Sequence, residues 1–251
     1  MTRALVALLA TAMSVAAAPT ASIQDTPLPS GREVIARSIE ALGGQKAFLA
    51  VKSVHAVGKM TIVGPGISGD MEMFSARPDR VVYRLNITGI GKVENGYDGK
   101  VGWSVNPVSG PELLTGKQLQ EASEDAWFDA PLHMNNRVRS VEVVGRAEFD
   151  GHQTYKVRVV LPSGNEQFEY FDLTSGLQAG SEMTRTLPQG VVPTTNFTRD
   201  YKKFGALLQA TTIVQRALGL EQVVTITSVD YDKVPDSVFQ IPADVKPLLT
   251  K

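Results

Sequence analysis

The chain has 251 residues, 43% of them hydrophobic and 20% charged, a balance that suits a folded globular body and excludes a disordered or fibrous one. Its 25 basic and 26 acidic residues nearly cancel, so no cationic surplus exists to hold nucleic acid or an anionic bilayer. With no cysteine and only three histidines, disulfides, thiolate metal sites, iron–sulfur clusters, a cysteine nucleophile and a lipidated N-terminal cysteine are excluded.

Met1-Thr2-Arg3 supplies one positive charge, and residues 4–15 form an uncharged apolar run that ends in small residues. This is the pattern of a secretory signal peptide, with the cut expected after Ala17. The run is shorter than the roughly 20 residues of a membrane span, and no later stretch reaches that length. Residues 18–29, rich in Pro, Thr and Ser, read as a flexible leader.

Ser30 followed by Glu33 is a capping box that opens a helix. Val34, Ile35, Ile39 and Leu42 form its apolar stripe, opposite Arg32, Arg37 and Glu40. Gly43-Gly44 stops it, and residues 45–50 are expected to add one turn that buries Phe48 and Leu49. From there the period changes to two. Ala56, Gly58 and Met60 alternate with His55, Val57 and Lys59. Met71 and Met73 share a face opposite Asp70, Glu72 and Phe74. Val81, Tyr83, Leu85 and Ile87 share a face opposite Arg80, Val82, Arg84 and Asn86. Tyr155, Val157, Val159 and Leu161 repeat the pattern, followed by Phe168 and Tyr170, and residues 192–201, 209–215 and 222–232 are further β-type runs. Turn chemistry bounds them at Gly64-Pro65-Gly66, Pro78-Asp79, Asp98-Gly99, Asp150-Gly151 and Ser163-Gly164. Short strands without intervening helices predict an antiparallel meander in one domain spanning residues 30–251. One acidic insertion, residues 117–128, reads as a short helix lying on the sheet, anchored by Trp127-Phe128.

Reactive constellations are scarce. His55, His133 and His152 form no His-x-His or His-x-x-x-His pair, and no His-Glu-x-x-His metalloprotease motif is present; no metal and no cofactor is expected. A Gly-x-Ser-x-Gly elbow and a phosphate loop are both missing, and Gly89-Ile90-Gly91 is followed by a β-type run, the wrong setting for a dinucleotide. Glu121, Glu124, Asp125 and Asp129 read as a solvated helix face, because the alternation and turn glycine of a calcium loop are lacking. Asp230 and Asp232 share a strand face but have no partner acid or base.

A leading helix ending Ala41-Leu42-Gly43-Gly44, then Asn95-Gly96-Tyr97-Asp98-Gly99 with Trp103 and Pro107 behind it, and finally Val234-Pro235-Asp236-Ser237-Val238-Phe239-Gln240-Ile241-Pro242, together resemble the LolA-like superfamily: the outer-membrane lipoprotein-sorting proteins and their exported bacterial relatives. The resemblance spans residues 30–245. It implies an α+β fold, a single strongly curved antiparallel sheet (an unclosed β-barrel of about 11 strands), with helices on the concave side. It also implies a periplasmic, non-catalytic carrier or sensor of a lipid, acyl chain or lipoprotein.

The residues add a physical motive. A curved sheet that cannot fill its own hollow leaves an apolar cavity, and methionine adapts to irregular ligands. Met71, Met73, Tyr83, Leu85, Trp103 and Trp127 are the candidate lining. Which face points inward stays open, because Phe74 and Val82 make the opposite face apolar too. Two other readings stand beside the carrier: a non-catalytic module of an envelope complex, and a carboxylate-dependent hydrolase.

Overall fold

The computed structural model describes residues 27–134, 137–187 and 190–250; the expected signal peptide, residues 1–17, and most of the leader lie outside the described residues. Ser30 caps α1 (Gly31–Ala41), with its side chain and that of Glu33 satisfying each other's backbone N–H groups. Val34, Ile35 and Ile39 are buried along one stripe, as the spacing predicts. A short second helix, α2 (Gln45–Ala50), follows. Phe48 is half-buried there, but Leu49 is exposed. The helix is a bare turn and a half, and only one of its two large apolar side chains can face the body.

Thirteen strands follow, all in one antiparallel sheet: β1 (Ser53–Val63), β2 (Ile67–Ala76), β3 (Arg80–Ile87), β4 (Gly91–Tyr97), β5 (Gly102–Asn106), β6 (Gly110–Leu113), β7 (Ser140–Phe149), β8 (His152–Val160), β9 (Glu166–Asp172), β10 (Gln178–Leu187), β11 (Gly190–Phe204), β12 (Leu207–Ala217) and β13 (Leu220–Tyr231). Their lateral order is β6-β5-β4-β3-β2-β1-β13-β12-β11-β10-β9-β8-β7. A pure meander has been cut once, after β6, and its two pieces joined by pairing the first strand with the last. The resemblance implied about 11 strands. Between β6 and β7 lie α3 (Gly116–Asp125) and the single turn α4 (Ala130–His133).

The curvature of the sheet follows from what α3 touches. Its ten residues span about 15 Å, yet it contacts β4 and β5 at one side and β10 at the other. Along the sheet those strands are seven steps apart, about 34 Å at 4.8 Å per step. The sheet must therefore curl around the helix. Register shifts at Val57/Gly58, Val143/Gly145 and Gln178/Gly180 supply the local bends. We call the face that carries α1, α3 and α4 the inner face.

Two cores result. On the inner face of β7–β9, Val34, Ile35 and Ile39 of α1 and Met134 pack on Val157, Val159 and Phe171. On the outer face of β2–β5, the C-terminal segment lays Phe239 and Val245 over Phe74, Ala76, Val82 and Trp103. The Pro235-Asp236-Ser237 turn thus tucks Phe239 into the body, 3% exposed. Gly96 is dictated by this second core: a Cβ there would sit 2.2 Å from the Trp103 ring, which lies flat across it.

Candidate functional site

The inner face is assembled by register. Met71 lies opposite Gly58 on β1 and Leu85 on β3, while Met73 lies opposite Ala56 and Tyr83. The same face continues through Met60, Val224 and Ile213 on β1, β13 and β12. Met60 and Met71 are buried, whereas Met73, Leu85, Ile213 and Val224 are half-buried and Tyr83 is 38% exposed. Four of the six residues singled out in the sequence, Met71, Met73, Tyr83 and Leu85, therefore share one patch of the inner face.

Trp103 is elsewhere. It is fully buried in the outer core, donating its indole N–H to Glu94 at 3.2 Å. Asp98-Gly99 does make the predicted hairpin turn, with the Asp98 carboxylate accepting from the Lys100 and Val101 amides, but Tyr97 and Trp103 leave it on opposite faces. Trp127 follows α3 and lies under the Arg137 guanidinium, 5.2 Å from its ring. Phe74 and Val82 stand back to back with the methionines, which is why both faces of β2 and β3 read as apolar.

Above the inner patch, α3 and the turn after it are tied to both sides of the curl. Asp125 pairs with Arg185 of β10 at 2.8 Å. Glu121, 8% exposed, accepts from the Thr186 amide at 3.0 Å and from its hydroxyl at 2.6 Å. Glu124 accepts from the amide and hydroxyl of Ser163. On the opposite side, Asp129, 2% exposed, pairs with Arg77, whose guanidinium also reaches the Phe48 and Val51 carbonyls. Arg137 pairs with Asp79 at 2.8 Å. This corrects the expectation of a solvated acidic face: Glu121 and Asp129 are buried, and Glu124 and the exposed Asp125 are each paired to a strand or its turn. Their partners lie 39 to 65 residues away in sequence.

The electrostatics agree with an enclosed hollow. Desolvation pushes the Tyr83 hydroxyl up to about 12, with Asp125 adding and Arg185 opposing. Desolvation likewise raises the Asp125 carboxyl, opposed by Arg185. Sequence reasoning missed one residue here: Glu169 of β9, 7% exposed, whose carboxyl burial drives from 4.5 up to about 7. It accepts from the Gln167 and Gln178 amides at 2.6 and 2.8 Å. A cavity of about 60 Å³ beside it is walled by α1, α4 and the sheet.

The histidines serve separate places: His55 meets Glu72 at 3.0 Å, His133 approaches Asp129 at 4.0 Å, and His152 meets Asp172 at 3.2 Å. Asp230 pairs with Lys233, while Asp232 accepts from the Lys52 amide, so the two carboxylates do not act together. Among the described residues, no group of three or more His, Asp or Glu is arranged to hold a metal ion, and no helix is long and apolar enough to cross a membrane.

A long, open, antiparallel sheet curled around short helices has close counterparts among solved structures. A DUF1329 family protein from Desulfovibrio piger superposes with a TM-score of 0.60 at 13% identity, covering 85% of this chain and 97% of that one. A LolA superfamily protein from Nitrosomonas europaea gives 0.57 at 13% identity, covering 85% and 99%. The chain has the LolA-like fold. A third counterpart, from Vibrio parahaemolyticus and described as an outer membrane lipoprotein-sorting protein domain, gives 0.56 at 12% identity over 88% and 100% of the two chains. No family model matches the sequence, and no curated protein matches it either. The LolA-like fold is thus carried by a sequence that shares few residues with these counterparts.

Proposed function

We propose that the chain is an exported binding protein of the cell envelope that holds a lipid, acyl chain or lipoprotein against its inner face, as a carrier or sensor and not as an enzyme. The observation that carries this reading is the incompletely covered apolar patch of Met73, Leu85, Ile213 and Val224, lying beside buried Met60 and Met71 inside a sheet curled around α3. Tyr83 borders the same patch, whereas Trp103 belongs to the outer core. Each buried methylene contributes about 0.8 kcal/mol, so ten contribute roughly 8 kcal/mol, enough to offset much of the cost of association without many polar contacts. The description of the Vibrio counterpart as a lipoprotein-sorting protein domain is in keeping with this chemistry, and the charged start followed by an apolar run supports export.

Native mass spectrometry of protein purified gently from the periplasmic fraction tests the reading. A co-purified lipid mass is expected, together with a mature N-terminus near Ala18. Introducing a charge by Met73→Glu should abolish dye displacement by added lipid. If no lipid co-purifies and lipopeptide neither displaces a hydrophobic dye nor raises the melting temperature, the carrier reading fails. The non-catalytic envelope module then takes its place.

A further inference from the structure

The strand register places five polar side chains in one transverse row across the inner face. Glu169 on β9 is opposite Ser181 on β10, Ser181 is opposite Asn196 on β11, Asn196 is opposite Gln215 on β12, and Gln215 is opposite Gln222 on β13. Four interstrand steps make the row about 19 Å long. Its members are already oriented by each other: the Gln215 amide donates to the Asn196 carbonyl oxygen at 3.1 Å, and the Asn196 amide donates to the Ser181 hydroxyl at 3.3 Å. On one side of the row the face carries Ile213 and Val224, and on the other Met183. Glu169 already accepts from the Gln167 and Gln178 amides, but a carboxylate has about four acceptor positions, so it can take a further donor. Surface solubility does not explain the row, because Ser181 and Glu169 are 5% and 7% exposed.

Glu169 closes the row at the end nearest α1. Its cavity is bordered by Ile35 and Ser38 of α1, by Leu42, which caps that helix, and by Tyr201, the other titratable side chain on the wall. Among the described residues Glu169 makes no ion pair. About 60 Å³ is ample for an ammonium or hydroxymethyl group, since one water needs only about 10–15 Å³ by a comparable measure.

Resting on the lipid-binding reading above, we infer that this row is a hydrogen-bonding track for the head of the ligand, with Glu169 receiving its terminal donor. The ligand class is then an amphiphile whose head donates hydrogen bonds, an amide, hydroxyl or amine, and is not an anion. A bare fatty-acid carboxylate would meet the Glu169 carboxylate and find no cation on the track.

The test titrates the mature chain at pH 8 with three twelve-carbon probes: laurate, N-lauroylethanolamine and dodecylammonium. The two donor-headed probes are expected to bind at least tenfold more tightly than laurate. Glu169→Gln should bring laurate to within about threefold of them, and Asn196→Leu with Gln215→Leu should weaken N-lauroylethanolamine about tenfold while leaving laurate unchanged. The Gln variant preserves volume, and its melting curve reports whether it folds. Equal binding of all three probes to the native chain overturns the inference and leaves the lipid-binding reading intact. Binding of none overturns both. Tighter binding of laurate overturns the inference outright.

Discussion

In the limb formed by β7, β8 and β9, the dry side of the sheet is the inner one, where α1 lays Val34, Ile35 and Ile39 on Val157, Val159 and Phe171. In the limb formed by β2 to β5, the outer side is sealed instead, with Phe239 and Val245 of the C-terminal segment over Trp103, Val82 and Phe74. Each limb satisfies the requirement for a buried apolar face, but on opposite sides. The consequence is a hollow. Because α1 occupies only one end of the inner face, Met73, Tyr83, Leu85, Ile213 and Val224 are left incompletely covered, and the stability of their strands does not depend on filling the space in front of them. The outer core supplies the rigidity, and the inner face is free to be a binding surface.

The strongest way to break that comparison is to empty each core in turn. Trp103→Ala removes a fully buried indole and should cost about 3–5 kcal/mol; Ile35→Ala, 2% exposed, should cost about 2–4 kcal/mol. Both should lower the urea midpoint of one shared transition, since β1 and β13 join the limbs through ten paired positions. Two separated transitions in Trp103→Ala would show instead that the limbs unfold independently. Neither change touches the patch of Met71, Met73, Tyr83 and Leu85, so whatever folded protein remains should bind lipid with unchanged affinity.

Next in size is Glu169, a buried carboxyl on the inner side. Its carboxyl titrates at about 7 in the folded chain against 4.5 unfolded, so folding takes up a proton. Stability is therefore fullest below about pH 4.5, declines as pH rises from there to about 7, and is level beyond. At 1.36 kcal/mol per pH unit, the decline amounts to about 3 kcal/mol. Glu169→Gln should flatten this part of the pH–stability curve. A curve of unchanged slope between pH 5 and 7 would place the titration elsewhere.

Much of this architecture can be read from the sequence alone, and the reasons for the rest are specific. Ser30 with Glu33, the alternation of β1 to β3, the Asp98-Gly99 turn and the burial of Phe239 are local signals, complete within a few residues. The face of Trp103 is not local. Alternation shows that it opposes Gly102 and Ser104, but says nothing of which side the C-terminal segment, 130 residues later, will cover. The acids of α3 mislead for the same reason, as their partners Ser163, Arg185 and Thr186 are brought in by the curl. The polar row is the extreme case: its five members are spread over five strands, and only the register aligns them. A mostly polar strand such as β10 also hides its alternation, since Ser181, Met183 and Arg185 share a face with little in common chemically.

A smaller effect sharpens the role of α1. Ser30→Ala removes one half of the capping box and should cost about 1 kcal/mol, a few degrees in melting temperature. Ser30 and Glu33 are exposed, so the loss should be independent of ligand. If added lipid restores more than the shift it gives the native chain, α1 itself moves on binding.

The smallest expected effect concerns the tie between α3 and β10. Arg185 and Asp125 keep 30% and 46% of their side-chain surface in solvent, so the pair should contribute less than about 1 kcal/mol and should weaken with salt. Arg185→Ala nevertheless does more than delete an ion pair. Desolvation already raises the Asp125 carboxyl, Glu121 adds to this, and Arg185 is the group that opposes it. Without Arg185 the Asp125 carboxyl rises further, so the cost of the mutation appears as pH climbs through its titration and vanishes in acid, where the carboxyl is neutral in both proteins. Melting temperatures of the native chain and Arg185→Ala should therefore converge in acid and separate by a degree or two at pH 7 in low salt. Half a molar sodium chloride should narrow the gap. A gap that persists undiminished in acid and in salt would mean that Arg185 supports β10 by packing its aliphatic stem, and that the electrostatic tie across the hollow contributes nothing measurable.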